Sequence, residues 1–289
     1  MSEVIINVLG TAQDAGVPHP NCFCENCTRA LNDSRFRRLA ASLAIILPEK
    51  KAWHLIDATP DLKEQMARVQ MKYEMHSKLM ESIFLTHAHL GHYPGLLFLG
   101  REAVGASDVP VLAGEKMKRL LEEQAPWSQL TALRNIDVQE RIDGDSVQID
   151  PQVRVTFIEV PHRNEFSETF AFLIEGPKKK LLYVPDIDRW DQWDHELHDI
   201  CSQVDICLLD GTFYSEKELE HIGRDFREIP HPHMTETMDR LQDLTEQKEI
   251  YFIHINHSNP AIHENDRVRN MIESRGFYIA EDQMELKLS

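Results

Sequence analysis

Val4 to Leu9 is a short apolar run rich in β-branched residues, interrupted only by Asn7, that ends at Gly10. That is the pattern of a strand buried on both faces. Ser42 to Leu47 and Ala52 to Ile56 repeat it, parted by the turn Pro48-Glu49-Lys50-Lys51. Residues 61–80 then carry helical spacing, and the short run Ser82 to Leu85 leads straight into Thr-His-Ala-His. A helix is predicted from Pro94 to about Gly100, a strand over Val109 to Leu112 and a helix over 114–124. In the second half, Val153 to Val160, Thr169 to Ile174, Lys180 to Val184, Ile206 to Leu209 and Ile250 to Ile255 read as strands. Helices are predicted over 233–246 and 261–274, and residues 11–34 read mostly as irregular loop. Strands grouped in this way, with helices between the groups, argue for a mixed α/β (α+β) fold rather than a simple doubly wound sheet. No linker-like stretch interrupts residues 1–289, so a single domain is expected.

Composition narrows the function. The chain carries 48 acidic and 31 basic residues, a net charge of −17. Such a surface repels phosphate backbones, so nucleic acid is an unexpected partner. Arg35, Arg37 and Arg38 form the one basic cluster, read as a solvated helix face. The N-terminus lacks a basic, apolar leader, and no run approaches about 18 apolar residues. A cytoplasmic protein without a membrane partner is expected. The odd count of five cysteines fits reduced thiols or metal ligands better than a disulfide framework.

The strongest chemical signal is Thr86-His87-Ala88-His89-Leu90-Gly91-His92. Three imidazoles within six residues, just past a strand, can converge on one side of the following loop. Neutral imidazole suits zinc, iron and similar borderline metals. A second cluster, Cys22-Phe23-Cys24-Glu25-Asn26-Cys27, places three thiols on a predicted loop. Structural zinc sites want four ligands, and His257 is the candidate for the fourth. Cys201 and Cys207 lie in apolar sequence and read as core thiols. His54 and His76 read as structural; His19, His195, His198, His221 and His263 read as surface residues.

The histidine segment resembles the His-x-His-x-Asp-His signature of metallo-β-lactamase-fold hydrolases, a likeness that runs through nearly the whole chain. The resemblance implies a four-layer αββα sandwich. It also implies site roles, in chain order, for Asp57 after Trp53 to Ile56, His162 in Val160-Pro161-His162-Arg163, Asp186 in Tyr183-Val184-Pro185-Asp186, and His254 in Phe252-Ile253-His254. By that likeness His87, His89 and His162 hold a first metal, Asp186 bridges, and His92 and His254 serve a second. The family's aspartate before the last histidine is Gly91 here, so an intact first site and a weak or empty second one are expected, unless a neighbour such as Asp57 compensates.

Gly10-Thr11-Ala12 followed by Cys-x-Cys-x-x-Cys is similar to two narrower groups. One is the phosphodiesterase of carbon–phosphorus-bond degradation, whose C-terminal His-x-x-His spacing matches His254 and His257 and implies a zinc loop at about residues 18–30. The other is the pyrroloquinoline-quinone biosynthesis B group, matched at Asp57-Ala58-Thr59-Pro60-Asp61 and Ile253-His254-Ile255-Asn256. Phosphodiesterases of this fold use a histidine near Pro230-His231-Pro232-His233 to protonate the leaving group. His231 fits that spacing somewhat better than His233, and Thr235 is a candidate N-cap for the helix that follows. The combined expectation is a metal-dependent hydrolase of a small phosphodiester or other ester. His231 or His233 serves as acid and Asp57 as a further catalytic group. Zinc fills the cysteine site, and zinc, manganese or iron the histidine site. The alternatives are a redox or biosynthetic role in quinone-cofactor formation, or a relative that only binds metal or a small molecule. The sequence leaves the substrate and the assembly open, a homodimer included.

Overall fold

The structure, a computed structural model, describes residues 2–221, 230–262 and 267–289. Two seven-stranded mixed sheets face each other. The first is built in chain order from β1 (Ile5–Gly10), β2 (Ser42–Leu47), β3 (Ala52–Ile56), β4 (Ile83–Phe84), β5 (Val109–Ala113) and β6 (Ile136–Glu140). The second holds β7 (Ser146–Asp150), β8 (Val153–Glu159), β9 (Phe170–Glu175), β10 (Lys180–Val184), β11 (Ile206–Asp210), β12 (Glu249–Ile253) and β13 (Tyr278–Ile279). β14 (Glu285–Lys287) returns to pair antiparallel with β1. This is the αββα arrangement that the family likeness implied.

Alternation along each strand explains the continuous apolar runs. In β1, Ile6 and Val8 face the other sheet, while Ile5 and Leu9 face the helices outside. In β11, Ile206 and Leu208 point inward, and Cys207 and Leu209 pack outward against the second helical layer. Cys201 joins that outer layer, so both cysteines are buried core thiols, as read from their apolar setting. The inner core is closed by Phe84, Phe157, Phe170 and Phe172, whose rings meet mainly edge to face, a favourable geometry for aromatic pairs.

Several expectations change. Residues 11–34 are not all loop: Glu25–Asn32 is a helix that buries Asn26, Cys27 and Ala30. Its buried face is an amide, a thiol and one small methyl group, so no run of large apolar residues marks it. The helix predicted over 61–80 covers only Leu62–Lys72, and the chain beyond it turns through left-handed residues Glu74 and Ser77. Pro94–Leu99 is a 3₁₀ helix. The residue that caps Met234–Leu241 is His233, not Thr235. The helix expected from 261 is described over Arg267–Ser274, and His263 lies outside the described residues. Arg38 is not solvated. It is buried, donates to Thr11 Oγ1 and to the Ala280 and Ile262 carbonyls, and pairs with Glu281. It thus locks the loop after β1 to the C-terminal segment. Among the described residues, no helix is long and apolar enough to cross a membrane.

His54, on β3, is buried with Nδ1 2.8 Å from Ser82 Oγ. Burial lowers its pKa to about 4, with Asp150 only partly opposing. The unfolded chain takes up this proton near pH 6.5 and the folded chain only near pH 4. The stability from neutral His54 is therefore whole above about pH 6.5 and is lost as pH falls toward 4. His54→Gln keeps a partner for Ser82 without titrating. Urea unfolding at about pH 7 and about pH 4.5 should show a stability loss on acidification smaller by about 2 kcal/mol in this variant; equal losses would refute the assignment.

Candidate metal centre

The carboxyl ends of the parallel strands meet at one edge of the sandwich, where open α/β sheets place their ligands. Asp57 follows β3, Thr86 and His87 follow β4, Asp186 follows β10, Asp210 ends β11 and His254 follows β12. The register sets Val184 beside Leu209 and Asp210 beside Ile253, which brings the last three together. His162 arrives from the loop after β8.

His87, His89, His162 and Asp186 converge, with one ligand atom of each within 4.8 Å of the others. His89 Nδ1 lies 2.9 Å from His87 Nε2 and 3.2 Å from His162 Nε2. The Asp186 carboxylate lies 3.4 Å from His87 Nε2 and 3.1 Å from His162 Nε2. A tetrahedral ion held at about 2.0–2.1 Å would space its ligand atoms roughly 3.4 Å apart. Four such groups of this span suit one ion. Burial, then the neighbouring rings, pushes His87 well below the usual imidazole range and His89 down to about 4. Both rings are therefore neutral, as metal ligation requires.

Asp57 does not face the open side of the cluster. It is fully buried behind His92, accepting from Thr86 N and Oγ1 and sitting 2.7 Å from His92 Nδ1. It therefore orients His92 rather than touching a substrate, and it does not replace the carboxylate missing at position 91. The other rings are braced likewise through Nδ1: His87 by Thr86 Oγ1 at 3.0 Å, His254 by Thr212 Oγ1 at 3.1 Å, and His162 by Asp188 Oδ1 at 2.8 Å. Bracing of this kind fixes the tautomer and turns Nε2 inward. The Nε2 atoms of His92 and His254 are buried without a hydrogen-bond partner. They face Asp186 Oδ2 at 3.8 and 3.7 Å. Buried polar atoms are rarely left unpaired, so these two fit a cation. A third residue joins them that the sequence reading passed over. Asp14, in the loop after β1, brings a carboxylate oxygen within 4.8 Å of both rings.

The two candidate acids separate. His231 Nδ1 lies 2.8 Å from Asp210 Oδ2 and 3.4 Å from Asp186 Oδ1. Burial works against charge on this ring, but Asp210 and Asp186 outweigh it and lift its pKa to about 9. His233 instead caps the helix that follows and lines a separate depression with Tyr214, Glu216 and Arg240. Asp210 was visible in the sequence only as the end of a strand. Asp14 and Asp188 share the same weak signal, an acidic residue shortly after an apolar run.

Cys22, Cys24, Cys27 and His257 form a second group, with His257 Nδ1 3.4 Å from Cys22 Sγ and 3.7 Å from Cys24 Sγ. Tetrahedral zinc would set sulfur and nitrogen ligands roughly 3.6 Å apart. Asn26 Nδ2 donates to the His257 carbonyl and fastens the helix to this turn. Burial and the adjacent thiols raise Cys27 to about 12; a cation is what allows all three to be thiolates together. His19, read as a surface residue, is half-buried against this group: its ring lies tilted against that of His257, centroids 4.6 Å apart, and its backbone N–H donates to Cys27 Sγ.

Comparison with known proteins identifies the family. A beta-lactamase superfamily domain model matches residues 52–255. The chain belongs to the beta-lactamase superfamily. Within this superfamily it is similar to coenzyme PQQ synthesis protein B from Methylobacterium sp. (strain 4-46), 28% identical over 97% of this chain and 99% of that one. The counterpart from Rhizobium meliloti (strain 1021) is 29% identical, covering 99% of each. Among solved structures, Zn(2+)-bound PqqB from Methylobacterium extorquens matches with a TM-score of 0.81 and 25% identity over 98% of this chain and 99% of that one. A diphosphatase of the PhnP family matches with a TM-score of 0.71 over 99% and 97%; at 23% identity it speaks for the fold alone.

Read as a zinc tetrad, the cysteine group predicts that Cys24→Ser lowers zinc content by one ion per chain and unfolding free energy by about 4 kcal/mol or more. Plasma mass spectrometry and denaturant titration check both; unchanged zinc would refute the tetrad.

Proposed function

We propose that this chain is a metal-dependent hydrolase of a small-molecule phosphodiester or related ester. The observation that carries the reading is the His231–Asp210 pair standing directly beside the Asp186 end of the imidazole cluster. Superfamily membership and the donor set support metal binding. His87, His89, His162 and Asp186 would hold the ion. A divalent cation bound there would supply Lewis acidity, making a water acidic enough to ionise near neutral pH and polarising the ester oxygen under attack.

The chain's own groups supply the rest. Water, its proton released to solvent, adds to phosphorus as the bond to the leaving oxygen breaks; His231 gives its proton to that oxygen and is reprotonated from solvent. Asp210 fixes the ring and keeps it protonated until then. Asp186 balances this charge in part; with a cation held by Asp186 that support would be weaker and the ring a readier proton donor. The acidic surface favours a compact substrate over a polyanion.

A second reading has its own support, the full-length likeness to coenzyme PQQ synthesis protein B. By that likeness the chain acts in the synthesis of a quinone cofactor. An imidazole-rich donor set also suits iron, and oxygen uptake by iron-loaded protein would favour this reading.

Two variants test the hydrolase. His87→Ala with His89→Ala should remove metal from the imidazole cluster and leave the cysteine-bound zinc. Asp210→Asn should keep full metal content and lower kcat about 100-fold on a dialkyl phosphodiester, whose alkoxide leaves only with a proton. Zinc- or manganese-loaded protein that cleaves no phosphodiester or ester in a broad panel would overturn the proposal.

A further inference from the structure

Gly91 stands where the superfamily's pattern has a metal-binding aspartate, but the space beside it is not open. A Cβ built on Gly91 would lie 2.4 Å from Asp14 Oδ1 and 2.6 Å from Asp14 Cα. The chain has no room for a side chain at 91 because another residue's carboxylate already occupies that position. That carboxylate lies within ligand-to-ligand distance of His92 and His254, whose Nε2 atoms are buried and without a hydrogen-bond partner. Asp186 Oδ2 faces the same two nitrogens.

We propose that Asp14 is a metal ligand, completing with His92, His254 and Asp186 a second site next to the first. This rests on the reading of the imidazole cluster as a metal centre. The donor chemistry of two imidazoles, one terminal carboxylate and one shared carboxylate is preserved, while the terminal carboxylate has moved about 77 positions along the chain, from the loop after β4 to the loop after β1.

The loop is built to deliver it. Asp14 has φ +40°, in the left-handed region that aspartate, asparagine and glycine enter most readily. Gly16 N donates to the Gln13 carbonyl at 3.0 Å and closes the turn. Gln13 N donates to the carbonyl of Ile255, next to His254, so the loop and the His254 segment are tied directly. Thr11 is held from the other side by buried Arg38 and by Asp282. Donor atoms held in advance on several anchored segments are what a tight site requires.

The proposal makes Gly91 and Asp14 a coupled pair. Asp14→Asn keeps shape and tolerance for the left-handed turn but loses charge. Gly91→Asp alone forces two carboxylates into one space, so it does not improve binding. Asp14→Gly with Gly91→Asp returns the carboxylate to the superfamily's position, the more flexible glycine turn at position 14 giving way where its Cα would otherwise meet the new Cβ.

The experiment loads each protein with zinc alone, dialyses it and counts ions by plasma mass spectrometry, with a chelator competition for the weakest site. Wild type should hold about three ions per chain: one at the cysteines and two at the imidazoles. Asp14→Asn should hold about two, or bind the third at least about 10-fold more weakly, and the double variant should regain it. Circular dichroism checks that each is folded; if Asp14→Asn is not, the double variant against Gly91→Asp decides. Three ions bound unchanged in Asp14→Asn would overturn the proposal. A wild type with two ions would overturn it and leave a one-ion centre standing. A wild type with only the cysteine zinc would overturn the metal-centre reading itself.

Discussion

The Asp186 carboxylate is buried to 3% exposure, with His87, His92, His162, His231 and His254 all within 4 Å of its oxygens. Burying a carboxylate this deeply is costly unless it is compensated, and its own pKa is raised by that burial. The protonated His231 ring offsets part of that cost, and a cation held between the carboxylate and the ring nitrogens would offset more. Much of the architecture follows from meeting this constraint. The sheets bring strand ends together, and the His87, His92, His162 and His254 rings are braced through Nδ1 so that Nε2 points inward.

The bracing groups divide the labour. Thr86 links Asp57 with the His87 and His92 rings, so one hydroxyl next to the first ligand organises two others. Asp188 and Asp210 do the same for His162 and His231. The cysteine cluster lies on the segment that follows the Asp14 loop, and its fourth member, His257, sits three residues beyond His254. The N-terminal segment and the turn after β12 are thereby held to each other at two points.

The parts of this arrangement legible in the sequence were those written as local patterns. The strands that lead into the site appear as apolar runs because both their faces are covered, and His87, His89 and His92 appear because they are close in sequence. His162, Asp186 and His254 were reached by resemblance; each alone is just a polar residue after a strand. Asp14 was invisible for a physical reason. The sequence shows that Gly91 lacks a carboxylate, but the group filling that space comes from a loop on another strand, and only tertiary contact reveals it. Arg38 was misread for a similar reason, since its partners Thr11, Ile262 and Ala280 are brought to it only by the fold. The helix Glu25–Asn32 escaped because its buried face is made of an amide, a thiol and a single alanine.

The central claim is that the imidazole cluster around Asp186 is a metal centre. The most direct measurement is anomalous X-ray diffraction at the zinc edge from crystals grown with zinc and without chelator. Strong peaks are predicted within coordination distance of His87, His89, His162 and Asp186, apart from the one at Cys22, Cys24, Cys27 and His257. A peak at the cysteines with none among the imidazoles, or none on retesting with manganese or iron at their own edges, would contradict it.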